Sequence, residues 1–528
     1  MKLAANRKCD GLAQVASIIS VSLLLVASPA AAQVASPPTQ SLIRTTSNTV
    51  VSDQPFSMCD DPSCPTPHPL QSSQCLPHPG FGPGESPVFP RNTNWSLIYR
   101  NKNGDLGLTL PMAEGVWGTG DWFGLRHRLV EHGVNIIGGY ANNMLGNVVG
   151  GKKRGFSYAD QLYLQSDFDL QKLIGWQGGH FVVSVLDRNG TNVSNKYTGN
   201  LFNPNQIYGS QSFELYNIYL QQNLLDGWVS VKAGRLSATD DFCNSPIFGL
   251  YVSNGIDGQP GGICINGYVN AWPASRWGGL IRVNDKKDNL YGQAGIYQTD
   301  GRLYNPNGHG VDFSIRPYDG FVLIGEVGWT PEFQPHPQPT ANSKDTVDSC
   351  DDNEWHGMPG HYKFGGYYTH WAQIPTFNGS SATGTYGLYW MFDQMVYQAQ
   401  PGSECGLTLW GTFILSPDQA IAKIPYSFYT GAFYTGLIPG RSEDKTAVQI
   451  TYGSFSDVYA HSGDPSFAKD SDGVPGTPTY ELVLEACYTI QVSKALRVQP
   501  DVQYIISPGG TGNIPNALVI GAQVGFSF

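Results

Sequence analysis

Apolar and polar side chains alternate strictly along several stretches of the chain, and the three clearest stretches lie near its end. Alternation with a period of two predicts β-strands, because successive side chains of a strand point to opposite faces. Each stretch is about 11 or 12 residues long, whereas about five or six residues are usual in globular domains. The three stretches cover residues 480–492, 496–506 and 517–528.

The same pattern, followed from residue 134 onward, predicts sixteen strands. Short turns and long loops alternate between them, and an even strand number is typical of bacterial single-chain β-barrels. One connection breaks the alternation, because about 30 residues at 331–360 stand where a short turn is expected. The predicted strands are 134–145, 156–170, 180–188, 212–224, 228–236, 272–284, 290–299, 321–330, 361–370, 386–399, 406–416, 425–438, 446–456, 479–492, 496–507 and 517–528.

These features predict an all-β fold, a sixteen-stranded antiparallel transmembrane β-barrel over residues 134–528. Aromatic residues recur towards the strand ends on the apolar face, as a membrane interface requires. A soluble β-sandwich also alternates and stays open as an alternative, which would give a water-soluble protein. The polar strand faces supply candidate lumen-facing residues, namely Glu481, Glu485, Arg497 and Asp501.

The segments before the barrel differ in composition from it. Residues 1–32 combine a positive start, an apolar core and a small-residue cleavage site, which predicts a signal peptide and export. Residues 33–115 are rich in Pro, Ser and Thr and predict a flexible arm. Residues 116–133 predict a short helix with Asp121 as its N-cap.

Composition and motifs narrow the class of function. Only 14% of residues are charged and 12% are aromatic, and the net charge of −11 argues against a nucleic-acid partner. The sequence contains no HExxH, GxSxG or P-loop motif, so we predict no enzyme activity and no cofactor. Five arm residues offer metal-ligand types, but their spacing matches no strong zinc pattern, and a disulfide with solvated histidines is favoured. They are Cys59, Cys64, His68, Cys75 and His78.

A sixteen-stranded barrel is too wide for its side chains to fill, so it predicts an aqueous channel. The connection at 237–271 is the longest clear external loop and is expected to fold inward and narrow that channel. Charged groups bond sugar hydroxyls and aromatic rings pack on sugar C–H faces, so a constriction of both types suits carbohydrate passage. A general or anion-selective pore stays open. The constriction candidates are Lys232, Arg235, Asp240, Asp241, Trp272 and Arg276.

Three segments carry a family resemblance: GTGDWFGLRHRLVEHGVNIIGGYANNMLGNVVGG, VKAGRLSATDDF and the ending that contains QPDVQYIISPGG. From about residue 115 to the C-terminus the chain resembles the OprB-type carbohydrate-selective porins. The resemblance implies a sixteen-stranded outer-membrane barrel that passes glucose and related sugars by facilitated diffusion. It also implies a helix after Gly120 near the periplasmic mouth, and constriction roles for Arg235, Asp240 and Asp241.

The arm and the 331–360 insertion depart from the family pattern, and both are expected in the periplasm. The cysteines are a further departure. We predict that Cys243 pairs with Cys264 to pin the inward loop, that Cys350 pairs with Cys405 in a neighbouring turn, and that Cys487 is free.

The expected partners follow from the barrel. They are mono- or small oligosaccharides, outer-membrane lipid and, through the terminal aromatic Phe528, the barrel-assembly machinery. Association of the chain with copies of itself stays open, because nothing in the sequence decides it.

Overall fold

Most of the barrel-forming sequence is described by the structure, a computed structural model of the chain. The predicted signal peptide and nearly all of the predicted arm lie outside the described residues, as does Cys350. The described parts are 105–106, 112–113, 118–208, 212–285, 289–300, 308–333, 357–399, 405–462, 469 and 472–528.

Within these ranges, sixteen long antiparallel strands form a closed barrel. A further strand of two residues, Glu332–Phe333, pairs with Met358 and Pro359 at the start of one long strand. The long strands are β1 Val134–Val149, β2 Gly155–Asp169, β3 Gly179–Gly190, β4 Ser212–Leu224, β5 Val229–Leu236, β6 Arg276–Asn284, β7 Leu290–Thr299, β8 Gly320–Trp329, β9 Met358–Pro375, β10 Ser381–Gln398, β11 Gly406–Leu415, β12 Tyr426–Thr435, β13 Lys445–Ser454, β14 Tyr480–Ser493, β15 Leu496–Ile506 and β16 Ala517–Ser527.

The barrel closes between its first and last strands. Ser527 on β16 is in register with Gly139 on β1, and Val519 is in register with Asn147. Beyond the last pair, the backbones of Phe528 and Gly138 exchange two hydrogen bonds of 2.8 and 2.9 Å. Closure satisfies the backbone groups that an open sheet edge would leave without partners in lipid. We call the end of the barrel that carries Val134 and Ser527 the terminal end, and the other end the loop end.

Side-chain exposure follows the alternation that the sequence predicts. On β14, Glu481 and Glu485 face the interior and are 0% and 2% exposed, whereas Tyr480 and Leu484 face outward and are 39% and 36% exposed. The strand faces therefore sort polar groups inward and apolar groups outward, as a transmembrane barrel requires and a water-soluble barrel does not.

Exposed aromatic side chains collect at both ends of the outer surface. Such aromatic belts sit at the level of the lipid headgroups in outer-membrane barrels. The residues are Phe156, Tyr158, Phe213, Tyr426 and Tyr480 at the loop end, and Trp228, Trp329, Phe333 and Tyr397 at the terminal end.

All sixteen predicted strands are present, and the predicted antiparallel barrel is confirmed. Two bounds differ notably. Residues 272–275 belong to the loop before β6, and the hairpin of β9 and β10 extends about five residues further at the loop end on each strand than predicted. That extension is largely exposed, although Ile374 is buried, and its sequence shows no alternation of apolar and polar residues.

The segment before β1 is helical, but it starts later than predicted. A 3-10 turn at Trp122–Gly124 precedes the α-helix Leu125–Glu131. The Asp121 side chain does not cap the 3-10 turn that follows it, but its carboxylate accepts a hydrogen bond at 2.8 Å from the His127 N–H, in the first turn of the α-helix. Gly133 ends the segment in a left-handed conformation, φ 87°, which suits a glycine.

The other helices of the described residues are short. None of them has the length and apolar character needed to span a bilayer. They are the α-helices Leu170–Ile174, Gly261–Gly267 and Asp457–Ala460, the π-helix Ser194–Thr198, and the 3-10 turns Leu225–Gly227, Ala238–Asp240, Pro246–Leu250 and Pro508–Gly510.

Candidate functional site: the barrel interior

The connection between β5 and β6, residues 237–275, folds into the barrel, and we call it the second inner loop. Its backbone donates hydrogen bonds to side chains of the inner wall on β12 and β14. The Gly262 N–H donates to the Tyr429 hydroxyl at 2.8 Å, and the Val252 N–H donates to the Glu485 carboxylate at 2.6 Å. The prediction that this loop folds inward is confirmed.

A first inner loop, residues 191–208 between β3 and β4, also enters the barrel, which the sequence pattern did not predict. The Phe202 N–H donates to the Glu481 carboxylate at 2.8 Å, so the loop reaches across to β14. The two inner loops bond to each other, because the Asn254 N–H donates to the Asn203 carbonyl at 2.8 Å. Together they fill much of the lumen that sixteen strands would otherwise leave open.

A buried ion pair lies where the second inner loop leaves β5. Lys232 Nζ is 2.9 Å from Asp241 Oδ1, and the two side chains are 2% and 4% exposed. The Lys232 ammonium also lies 5.1 Å from the centre of the Tyr219 ring. Burial raises the pKa of the Asp241 carboxyl, and the charge of Lys232 opposes that rise.

Two arginines anchor the other end of the same loop. Arg235 Nη2 donates to the Ser275 carbonyl at 2.9 Å and Arg276 Nη1 donates to the same carbonyl at 3.0 Å. Arg235 Nη1 also donates to the Asp312 carbonyl, and Arg276 lies 3.4 Å from the Asp300 carboxylate. The guanidinium groups thus tie the base of the loop to the neighbouring connection between β7 and β8.

Aromatic rings lie beside the first acidic residue of the loop. Trp272 packs edge-on against Tyr216 with ring centres 4.5 Å apart, and Tyr163 lies 5.5 Å from the same tryptophan. The Asp240 carboxylate accepts hydrogen bonds from the Tyr216 hydroxyl and from Asn217 Nδ2. Burial raises the pKa of Asp240 to about 6.

Comparison with known proteins identifies the class of barrel. The profile of the family described as carbohydrate-selective porin, OprB family, matches residues 153–528. The chain belongs to this family.

Similar proteins are porins as well. Porin B of Pseudomonas aeruginosa is 26% identical over 446 residues, which cover 77% of this chain and 90% of that protein. The putative porin QuiX of Acinetobacter baylyi is 23% identical over 451 residues, covering 80% and 97%. The high-pH structure of Pseudomonas putida OprB superposes with a TM-score of 0.67 at 23% identity and covers 78% of this chain and 98% of that one. The protein is accordingly a carbohydrate porin of the outer membrane.

The porin structure places the six predicted constriction residues at the two ends of the second inner loop. Lys232 lies on the inner face of β5, and Asp240 and Asp241 begin the loop. Arg235, three positions further along the strand and in register with Ile218 and Trp277, lies on the opposite face, where the connection between β7 and β8 covers it. Trp272 and Arg276 lie at its end, so both ends of the loop meet at this site. We call the six residues, with Tyr163, Tyr216 and Asn217, the constriction cluster.

The four other lumen candidates face the interior, but they do not belong to the constriction cluster. They lie on β14 and β15. Two of them accept hydrogen bonds from the inner loops, and the other two bond to glutamine side chains of the barrel wall. Glu481 and Glu485 accept loop N–H groups, Arg497 Nη2 donates to Gln523 at 3.1 Å, and Asp501 accepts from Gln503 at 2.9 Å.

The predicted disulfide between Cys243 and Cys264 is not formed in the structure, where Cys243 is a buried thiol. A disulfide needs the Cβ atoms to face each other at about 3.5–4.5 Å, which sequence separation cannot ensure. The Cys350–Cys405 pairing stays a prediction, because Cys350 lies outside the described residues. Cys487 is a buried free thiol, as predicted.

Several functional residues were missed by sequence reasoning. Tyr163, Tyr216 and Asn217 lie on β2 and β4, and only the fold of the loop brings them to Asp240. Glu326 on β8 accepts the Cys243 N–H, a contact over 83 positions of the sequence. Alternation marked each of these strands but carried no signal for which inward residue meets the loop.

Proposed function

We propose that this porin passes neutral monosaccharides and small oligosaccharides, glucose among them, by facilitated diffusion across the outer membrane. The constriction cluster carries the proposal, because it sets Trp272, Tyr163 and Tyr216 beside Asp240 and Asn217. Aromatic faces suit sugar C–H groups, and carboxylate and amide groups suit hydroxyls.

We propose further that the terminal end faces the periplasm, which puts the arm in that compartment.

The charges of the cluster also favour a neutral solute. Lys232 is paired with Asp241, and Arg276 is paired with Asp300, so neither sign dominates the site. A pore that selects anions would present rings of uncompensated basic side chains to the lumen. A general diffusion pore without sugar preference is the second candidate, and it differs in predicting no interaction with sugar.

Planar-bilayer conductance with and without glucose or maltose tests this function. A sugar-selective pore binds its solute, so millimolar sugar should reduce ion conductance. Replacing Asp240→Asn or Trp272→Ala should weaken this block. Trp228→Ala on the outer surface, where the indole is 38% exposed, should leave it unchanged. Conductance that is indifferent to sugar in every form would favour the general pore.

Two partners complete the proposal. Phe528 ends the chain with an aromatic ring on the last strand, and we propose that the barrel-assembly machinery recognises it. Lipid of the outer membrane contacts the exposed apolar face of the strands. We propose no catalytic step, because the family is one of porins, which act as channels.

A further inference from the structure

Three glutamates of the inner wall share an arrangement that passage of a solute does not require. Each is almost fully buried, and each accepts hydrogen bonds from backbone N–H groups of an inner loop. Glu326 is 3% exposed, Glu481 is 0% and Glu485 is 2%. Burial of a carboxylate costs free energy unless hydrogen bonds replace its water shell. The hydrogen bonds from the loops therefore replace the water that these three carboxylates lose on burial.

Glu481 and Glu485 lie on the same face of β14 and hold one inner loop each. The Glu481 carboxylate accepts from Leu201 N–H at 2.7 Å and from Phe202 N–H at 2.8 Å. The Glu485 carboxylate accepts from Val252 N–H at 2.6 Å. The side chains are four positions apart on the strand, which separates them by about 13 Å. One strand thus fixes both loops side by side.

Glu326 fixes the start of the second inner loop from another strand, β8. Its carboxylate accepts the Cys243 N–H at 3.0 Å. Wall side chains orient it, because Tyr291, Gln293 and Tyr389 donate to the same carboxylate at 2.7, 3.0 and 2.9 Å. An ionised carboxylate offers acceptors only, and bonds to it are about twice as strong as bonds between neutral groups.

We propose that Glu326, Glu481 and Glu485 are positioning residues that hold the inner loops against the wall and so set the width of the channel. The loops occupy the lumen and bond to each other, so release of one loop loosens the other. The loops set the channel width whatever solute passes. The link between channel width and sugar preference rests on the proposed function.

The rival interpretation is that these carboxylates line the solute path and act through their charge. The variants Glu326→Gln, Glu481→Gln and Glu485→Gln test the two interpretations, because glutamine keeps the shape of the side chain but removes its charge and replaces one acceptor oxygen by a donor N–H₂ group. Both Glu481 oxygens accept backbone N–H groups, so in Glu481→Gln the N–H₂ group must face a backbone donor. Asp167→Asn is the matched control. Asp167 is an inner-wall carboxylate of β2, 5% exposed, and it lies 3.3 Å from the His180 ring on β3 rather than against a loop.

The measurement is single-channel conductance in potassium chloride without sugar, followed by liposome swelling with sugars of rising size. If the glutamates position the loops, conductance of each Gln variant rises at least about two-fold and larger sugars enter, since the steric constriction is relieved. Asp167→Asn should change neither quantity. Equal changes in Asp167→Asn, or folded Gln variants with the conductance and size limit of the parent, overturn the proposal.

Two further measurements keep the proposal testable where a variant folds poorly. In Glu485→Ala, added acetate should refill the anion position and return conductance towards the parent value, which a purely structural defect would not allow. In the unaltered porin, peptides that contain Leu201–Phe202 and Val252–Ser253 should exchange amide hydrogens as slowly as the strands. Exchange as fast as in the exposed turn at 378–380 contradicts the proposal. If the unaltered porin shows no sugar block while the loop amides are protected from exchange, the proposed function is contradicted and the positioning role of the glutamates is not.

Discussion

Buried charges inside this porin are compensated in two ways, by an opposite charge or by backbone N–H groups. Lys232 and Asp241 follow the first way, at a distance of 2.9 Å. Glu481 follows the second way, because two loop N–H groups and the Gly509 N–H surround its carboxylate. The ion pair cancels its charge locally, whereas the N–H groups stabilise the buried carboxylate without removing its charge.

The pH dependence of the channel should follow Asp240 at the residue scale. Burial raises the pKa of this carboxyl to about 6, so it is negative above that pH and neutral below it. We expect the preference for cations, measured as reversal potential across a salt gradient, to fall as the pH drops through about 6. Asp240→Asn should flatten this transition. An unchanged transition in the variant would exclude Asp240 as its origin.

The Lys232–Asp241 pair should be costly to break. Lys232→Met leaves a buried carboxylate without its cation, and removal of one partner of such a pair costs about 3–5 kcal/mol. We expect a lower free energy of unfolding in urea, largely restored in the double variant with Asp241→Asn. Arg316→Met is the control, because the Arg316–Asp312 pair is 37% and 41% exposed and such pairs contribute about 1 kcal/mol or less. Equal losses for both single variants would contradict this account.

Strands are the elements that carry this fold, and their two faces have different requirements. The outer face must be apolar at mid-membrane, where Val502 on β15 is 42% exposed. The inner face needs only polar groups that find partners, and Gln503 next to it donates to the Pro204 carbonyl of the first inner loop at 3.0 Å. Neighbouring residues on one strand therefore meet lipid and a folded loop in turn.

A charge on the outer face should destabilise the barrel according to its depth. Val502→Arg near the middle of β15 should lower the free energy of folding into lipid vesicles by about 2–4 kcal/mol. Val492→Arg at the terminal end of β14, where the side chain is 55% exposed, should cost about 0–1 kcal/mol. Similar costs at both positions would contradict a membrane-spanning outer face.

The whole molecule depends on closure between β16 and β1. Phe528 bonds with the Gly138 backbone, and its ring covers the site where a Gly138 side chain would be, since a Cβ there would lie 2.4 Å from a ring carbon. The seam thus brings together residues 390 positions apart in the sequence, and it forms only when all strands are in place.

Deletion of Phe528 should impair assembly more than conduction. The deletion removes the backbone bonds to Gly138 and the terminal ring, so we expect less folded porin in the outer membrane, measured by heat-modifiable migration on gels. Channels that do assemble should show the parent conductance. Phe528→Ala keeps the backbone bonds, so it should refold normally into pure lipid and be impaired only in cells. Normal assembly in cells of both variants would remove the proposed role of the terminal ring.

Much of this molecule was predictable from local pattern. Alternation placed Glu481 and Glu485 on the inner face, and loop length pointed to the connection at 237–271, because a strand's period and a turn's length are properties of neighbouring residues. The start of the helix at Leu125 was less predictable, since a 3-10 turn at Trp122–Gly124 lies between it and Asp121, whose carboxylate reaches the helix through the His127 N–H.

The sequence by itself determined the closed sixteen-stranded barrel, its inner and outer faces and the family of carbohydrate porins. Only the tertiary structure decided that the first inner loop, 191–208, also enters the lumen, that Tyr216 meets Asp240, and that Cys243 does not bond to Cys264. The physical reason is the distance along the chain over which each interaction acts. Period and hydropathy act between neighbours along a strand, whereas contacts inside the lumen join residues far apart in the chain, such as Leu201 and Glu481, and exist only once the barrel has closed around the loops.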